Sequence, residues 1–444
     1  MKTRIALVSL GCAKNLVDSE VMVGLLSEAG FEPVIDLDEA DVLLVNTCAF
    51  IDEAQEESVD AILSLAELKK KDPSKRLIVT GCLAQRFPDD LLEEIPEIDG
   101  VVGTGDFAEI VRIVSDALEG ERITVVTKQP FFIYDETYPR YISTPPHTAY
   151  IKIAEGCSNR CSYCIIPELR GKFRSRPIDS IVREARHLAQ HGARELILIA
   201  QDTTRYGEDL YGTYSLDRLL KEVSKIDEVR WIRVLYMYPT KLTDGLIQVI
   251  ADEPKVCKYV DLPLQHVDDE LLKLMNRHGR HEDAVQTIAR LRQAVPDITI
   301  RSTFIVGFPG ETEAKFRSLL DFLEEARLDR VGIFPYSPQS GTVASHSPDH
   351  IEDSVKERRF QQAMEVQKRI SREKNLARIG QVTEVLIEGR AEESELVTVG
   401  RSQAEAPEID GVIYIGNEHP EPGEFRPVKI IDAGDYDLVG EIVS

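Results

Sequence analysis

Between Thr148 and Tyr336 short apolar runs alternate six times with amphipathic stretches, and this alternation limits the possible folds more than any other feature of the chain. The runs AYIKIAEG, RELILIA, WIRVLY, KYVDLPL, ITIRSTFIVG and RVGIFPY have strand length and strand composition. The stretches between them, such as SIVREARHLAQHG, LTDGLIQVIAD, DAVQTIARLRQAV and EAKFRSLLDFLEEARL, repeat their apolar residues at helical spacing. Strand–helix units in series give parallel strands with right-handed crossovers, so an open or partial (β/α)6 barrel is expected. A closed eight-unit barrel would need two more units.

The flanks read differently. RIALVSL, DVLLVNT and RLIVTG, each followed by helical periodicity, predict a small α/β domain with a mostly parallel sheet over residues 1–119. Pro130, Pro139, Pro145 and Pro146 fall in a stretch with little periodicity, read as an extended linker over 120–142 ahead of a core over 143–373. A charged helix over 351–378 leads into residues 376–444, where TEVLIEG, GVIYIG and PVKIID alternate with Gly and Pro turns, the pattern of a small all-β module.

The net charge is −24 with a pI near 4.9, a field that repels phosphates and attracts basic partners, so direct nucleic-acid binding is not expected. No segment reaches about 18 uninterrupted apolar residues and no cleavage site follows the first apolar run, which predicts a soluble cytoplasmic protein with no membrane partner. Seven cysteines without a secretory signal point to metal binding or catalysis rather than a disulfide framework.

Three of them, Cys157, Cys161 and Cys164, form a CxxxCxxC loop after the first strand of the core. Three thiolates can hold a four-iron cluster and leave one iron free for another ligand. A zinc knuckle completed by a distant ligand is the alternative, although zinc pairs more often space as two CxxC units. Cys12, Cys48 and Cys82 lie far apart in sequence, yet SLGC, VNTC and VTGC each follow an apolar run directly. At the carboxyl ends of parallel strands their loops converge on one edge, so the three residues bind a second centre or are buried structural thiols. Cys257, inside KVCKYVDL, reads as core.

Cys157-x-x-x-Cys161-x-x-Cys164 at the end of the first strand of a six-unit barrel resembles the radical S-adenosylmethionine superfamily. The resemblance implies that the free iron chelates the amino and carboxyl groups of S-adenosylmethionine. It implies reductive cleavage to a 5′-deoxyadenosyl radical that abstracts hydrogen from an unactivated carbon. The stretch from Ile305 through Gly307 to Glu311, IVGFPGE, resembles the superfamily's adenine-contacting strand-five signature, and Gln201 and Asp202 close strand two where the cofactor is held. Thr312 also reads as a helix cap. The combination of a cysteine-bearing N-terminal domain, a radical barrel and a C-terminal β module of TRAM type resembles the methylthiotransferase family across nearly the whole chain. That likeness implies two [4Fe-4S] clusters, one on Cys157, Cys161 and Cys164 and an auxiliary one on Cys12, Cys48 and Cys82. It also implies S-adenosylmethionine as radical source and methyl donor, and a low-potential electron donor such as flavodoxin or ferredoxin.

Within that family SLGCAKNLVDSE resembles the branch acting on the β-carbon of an aspartate in the twelfth small-subunit ribosomal protein (RimO-like). The tRNA branch (MiaB-like), which modifies isopentenyl-adenosine, is the alternative, and a non-catalytic iron–sulfur scaffold or redox sensor is a second. Residues 381–444 hold fifteen Asp and Glu against Arg390, Arg401, Arg426 and Lys429, a balance of −11 that favours a basic ribosomal protein over tRNA. The basic run Arg170, Lys172, Arg174 and Arg176 is read either as a solvated loop or as holding carboxylates, with Arg174 taken as the cofactor contact. Tyr163, Phe173, Tyr236 and Tyr238 either line the pocket or pack, with packing favoured, and His266 and His278 are proton carriers or, as a lone histidine more often is, structural.

Overall fold

The computed structural model describes residues 2–392 and 394–443. In the N-terminal domain β1 (Arg4–Ser9), β2 (Glu32–Pro33), β3 (Val42–Thr47), β4 (Arg76–Gly81), β5 (Gly100–Val102) and β6 (Ile123–Val125) form one sheet in the order β2-β1-β3-β4-β5-β6. Every pairing in it is parallel. β6 comes from the segment expected to be linker, because its backbone completes the open edge of β5. Helix α1 (Ala13–Glu28) follows β1, α2 (Asp52–Lys71) follows β3 and the short α3 (Cys82–Arg86) follows β4. Asp52 and Glu53 start α2 and Lys69, Lys70 and Lys71 end it, so its charges oppose the helix dipole.

The core holds all six expected strands: β7 (Thr148–Lys152), β10 (Glu195–Ile199), β11 (Trp231–Val234), β12 (Tyr259–Asp261), β13 (Thr299–Val306) and β14 (Arg330–Pro335). Between β7 and β10 in sequence lie the two-residue strands β8 (Ala154–Glu155) and β9 (Arg174–Ser175), which pair antiparallel and frame the cysteine loop. The core strands make two parallel triplets, β7-β10-β11 and β12-β13-β14, joined by the parallel bridge of Ile232 with Val256. The result is a partial barrel of six parallel strands. Its helical layer buries Ile181, Leu188, Leu219, Leu291, Phe316 and Leu323 against Leu196, Leu198, Ile232 and Ile300. Thr312 caps the helix Glu313–Ala326 by accepting from Lys315 N at 3.4 Å.

The helix Asp353–Leu376 packs on β14 and leads to a closed five-stranded barrel, β15 (Val382–Ala391), β16 (Ser394–Arg401), β17 (Ile413–Ile415), β18 (Phe425–Ala433) and β19 (Leu438–Ile442), in the order β15-β16-β17-β19-β18. The segment before β7 is packed rather than loose: Tyr134 is buried against Glu184, and Arg140 pairs with both Glu20 of α1 and Glu184 of the core. Among the described residues no helix is long and apolar enough to cross a membrane.

Candidate active site

Each N-terminal cysteine sits at the carboxyl end of its strand, and three polar side chains stitch the loops together. Asn15 Nδ2 donates to the carbonyls of Leu10 (3.0 Å) and Thr47 (2.9 Å), while Asn46 Nδ2 donates to Asn15 O at 2.9 Å. Thr47 Oγ1 donates to Thr80 O at 2.6 Å and accepts from Leu83 N at 3.2 Å, tying the β3 loop to the β4 loop. Gly11, at φ +86°, lets the chain turn beside Cys48: a Cβ there would lie 2.8 Å from Cys48 Cβ and 3.1 Å from its sulfur. Only glycine tolerates both that conformation and that closeness.

The second loop is held from three sides. Ser162 bonds the carbonyls of Met275 (2.9 Å) and Leu274 (2.7 Å), Cys157 N donates to Gly171 O at 3.1 Å, and Asn159 donates to Asp202 at 2.8 Å. Lys241 completes that clamp on Asn159 and Asp202.

Both cysteine triads open onto one chamber of about 420 Å³ between the N-terminal domain and the mouth of the partial barrel. Cys12, Cys48 and Cys82 line one side, and Cys157, Cys161 and Cys164 the other. Burial first, then the neighbouring Cys82 and Cys12, push the Cys48 thiol up to about 12, and burial pushes Cys157 up to about 11. At Cys12 burial also raises the pKa, but the positive charges of Lys14 and Arg170 outweigh it and the net direction is down. Among the described residues no three His, Cys, Asp or Glu close on a point as ligands of a single metal ion do.

A charged network joins the two sides beneath the chamber. Arg170 pairs with Asp18 of α1 and with Glu155, Lys152 pairs with the same two carboxylates, and the Arg170 guanidinium also reaches Asn15 and Cys82. Burial pushes the Glu155 carboxyl up, but Lys152 and Arg170 together hold it well below the usual range.

Of the residues expected to contact a cofactor, Gln201 lines the chamber, and its Oε1 is buried with no partner. Asp202 stands behind it, fixing Asn159 and Lys241. Ile305, Gly307 and Glu311 lie outside the chamber lining. Ile305 packs with Leu271, Met275 and Phe308. Gly307, at φ +72°, makes room for the Lys356 side chain, and Glu311 ties Gly307 N to Arg359 and His266. Arg174 lies outside the chamber lining: its guanidinium donates to the carbonyls of Phe132, Arg170 and Lys172, anchoring the pre-core segment. Arg176 is likewise committed to Glu184, so Arg170 alone of the basic run reaches the site.

Tyr163, Tyr236 and Tyr238 both line the chamber and pack against the core, whereas Phe173 packs without reaching the lining. Sequence reasoning missed Lys14, Asn159, Gln265 and Arg277, all of which line it. Lys14 follows Cys12 within the quoted SLGCAKN, and the polar run on one helical face, Lys14, Asn15, Asp18 and Ser19, all buried, was the available signal.

Comparison with known proteins matches residues 4–103 to the uncharacterized protein family UPF0004, residues 151–323 to the radical SAM superfamily and residues 379–443 to the TRAM domain. The ribosomal protein uS12 methylthiotransferase RimO of Geobacter sulfurreducens is 50% identical over 443 residues, covering 100% of this chain and 99% of that one. This chain belongs to the RimO family of ribosomal protein uS12 methylthiotransferases. The RimO proteins of Desulforamulus reducens and Clostridioides difficile are 52% and 50% identical, each over 99% of both chains. Family membership makes the chain a radical S-adenosylmethionine methylthiotransferase and sets aside the tRNA branch and the scaffold reading. Among solved structures, the radical S-adenosylmethionine methyltransferase TsrM from Kitasatospora setae, with cobalamin and a [4Fe-4S] cluster bound, matches at TM-score 0.56 and 17% identity over 76% of this chain and 77% of that one. The cobalamin-dependent enzyme OxsB matches at TM-score 0.52 and 12% identity, over 83% of this chain and 56% of that one. At those identities the likeness is one of fold.

The family's acidic C-terminal module is less available than its balance of −11 suggests. Glu384 pairs with Arg230, Glu405 with Arg330 and Arg378, Asp410 with Arg301, and Asp435 with Lys368 and Arg372. These acids dock the module onto the core.

Proposed function

We propose that the chain methylthiolates the β-carbon of an aspartate in ribosomal protein uS12, with one [4Fe-4S] cluster on Cys157, Cys161 and Cys164 and a second on Cys12, Cys48 and Cys82. The observation that carries this reading is that two cysteine triads from separate domains face one chamber, each one thiolate short of a four-iron cluster. The donor chemistry fits: sulfur ligands, an unpartnered Gln201 Oε1 and aromatic walls suit iron–sulfur centres and a nucleoside. When bound, the first cluster and S-adenosylmethionine supply a 5′-deoxyadenosyl radical, and the second centre supports the sulfur to be inserted.

The chain's own residues bind, orient and enclose. Asp202 and Lys241 fix Asn159 and with it the radical loop, Gln201 and Tyr238 offer polar contacts to the cofactor, and Arg170 holds the two domains in register. Asp52, Glu53, Glu56, Glu57 and Asp60 stand exposed on α2 next to Phe50, Ile51 and Ala54 at the chamber wall, an acidic approach for a basic ribosomal protein. Direct nucleic-acid binding has no part in this reading, and the cytoplasm, where ribosomes are made, is the expected location.

The electron donor is an acidic low-potential protein such as flavodoxin or ferredoxin. Cys157 also backs onto a second cleft of about 910 Å³, rimmed by the exposed Lys128, Arg160 and Lys172. Such a basic rim in a chain of charge −24 suits an acidic donor. The test is anaerobic reconstitution with iron and sulfide, followed by mass analysis of uS12 and of tRNA. Methylthio mass on the uS12 aspartate with release of 5′-deoxyadenosine is expected; the same mass on tRNA alone overturns the reading.

A further inference from the structure

The chamber lining carries Lys14, Arg170 and Arg277 and no Asp or Glu. A buried cation is unfavourable unless an opposite charge meets it. Arg170 has its counter-ions in Asp18 and Glu155. Arg277 belongs to the radical-loop side: it lies 4.2 Å over the Tyr238 ring, next to Cys161, and donates to Pro263 O. Lys14 belongs to the other side. It sits two residues after Cys12, is only 8% exposed, and its ammonium lies 3.3 Å from the centroid of the Tyr236 ring. Among the described residues it makes no ion pair with a carboxylate, and no Asp or Glu shares the chamber lining with it.

Tyr236 is held to this task at some cost. Its φ of +62° is a left-handed conformation that a bulky residue adopts only where its surroundings impose it. Its N–H donates to Asp261 Oδ2 at 2.9 Å and its carbonyl accepts from Thr203 N at 3.0 Å, which pins the backbone and leaves the ring beneath Lys14. A ring face stabilises a cation without neutralising it, so the lysine, which shares its charge with the Cys12 sulfur alone among anionic ligands of the chamber, can still pair with a carboxylate there.

Resting on the functional reading above, we propose that Lys14 is the binding site for the carboxylate of the substrate aspartate. The carbon to be modified has to lie within reach of both cysteine triads. A carboxylate paired with Lys14 enters that space from the side of Cys12, Cys48 and Cys82, leaving the Arg277 side to the cofactor. The same pairing selects the substrate. An asparagine at the target position would leave the ammonium buried and unpaired, and a site built for a charged partner rejects its neutral isostere strongly.

A double-mutant cycle on reconstituted holoenzyme tests this, with uS12 carrying either its native target aspartate or asparagine there as the probes, and binding affinity as the readout. The wild type is expected to prefer the aspartate form by about tenfold or more, the range of a charged hydrogen bond. Lys14→Met should weaken the aspartate form by about that factor and leave the asparagine form within about twofold, and Lys14→Arg should restore part of the preference. Equal weakening of both forms by Lys14→Met, or loss of the preference in Arg277→Met instead, overturns the assignment. So does a wild type that binds the two forms alike, a comparison that needs no variant to fold. Wild-type holoenzyme that leaves uS12 unmodified would count against the functional reading itself, whereas methylthiolation with an unchanged preference in Lys14→Met defeats the Lys14 assignment alone.

Discussion

Arg401, at the end of β16, donates Nη2 to Glu195 Oε2 at 2.7 Å, joining the C-terminal barrel to the first residue of β10. Arg233 holds the other oxygen of Glu195 at 2.8 Å. Burial raises the Glu195 carboxyl, but Arg401 and then Arg233 outweigh it and hold it at about 2; Arg378 and Arg330 do the same for Glu405, also about 2. Both carboxyls lie below their ordinary value of 4.5, so their stabilisation is complete above that pH and fades as pH falls toward 2. The chain's single tryptophan, Trp231, packs edge-on against Phe425 of β18 with ring centroids 4.9 Å apart, and so reports on the docking. Cluster-free protein is expected to show a red shift of tryptophan emission between about pH 4.5 and 2. Undocking already complete at pH 6 would contradict this pairing.

Gly11→Ala is expected to spoil the auxiliary site and spare the other. The added methyl would meet Cys48 in a backbone conformation alanine resists. Iron per chain after reconstitution should fall by about half, the fraction one of two equal clusters contributes, while cofactor cleavage persists. Full iron content in this variant would show that the Gly11 turn does not limit the site.

Arg170→Ala removes the cation shared by Asp18 and Glu155 and leaves Lys152 to face both. Breaking a buried network of this kind costs about 3–5 kcal/mol, so urea unfolding of the cluster-free protein should shift by that order. A change below about 1 kcal/mol, the scale of an exposed pair, would mean the network is solvated.

The six core strands were legible because parallel strands buried on both faces are written as unbroken apolar runs, and their order follows from right-handed crossovers. The cysteines were legible because each ends such a run. β6 was not, since ITV is short and its pairing depends on the free edge of β5 rather than on its own pattern. The placement of Arg174 has a similar origin. Residues 170–176 are equally basic in sequence, but β9 and the helix Ile166–Arg170 turn successive side chains in different directions, so Arg170 reaches the chamber and Arg174 caps backbone carbonyls. Arg277 became visible only when loops from separate parts of the chain closed on one space.

Lys128→Glu combined with Lys172→Glu should weaken reduction by flavodoxin and leave reduction by dithionite unchanged, because a small reductant needs no docking surface. The flavodoxin-dependent rate should fall about tenfold or more at low salt, with the difference shrinking as ionic strength rises past the point where charges about 8–10 Å apart are screened. Equal loss with both reductants would place the defect in the centre itself.

In the proposed function the two cysteine triads that line one chamber have different roles. The direct measurement compares the wild type with a variant in which Cys12, Cys48 and Cys82 are all alanine, both reconstituted anaerobically with S-adenosylmethionine, reductant and uS12. The variant is expected to release 5′-deoxyadenosine while adding no methylthio mass to uS12. Methylthiolated uS12 from the variant would contradict the account.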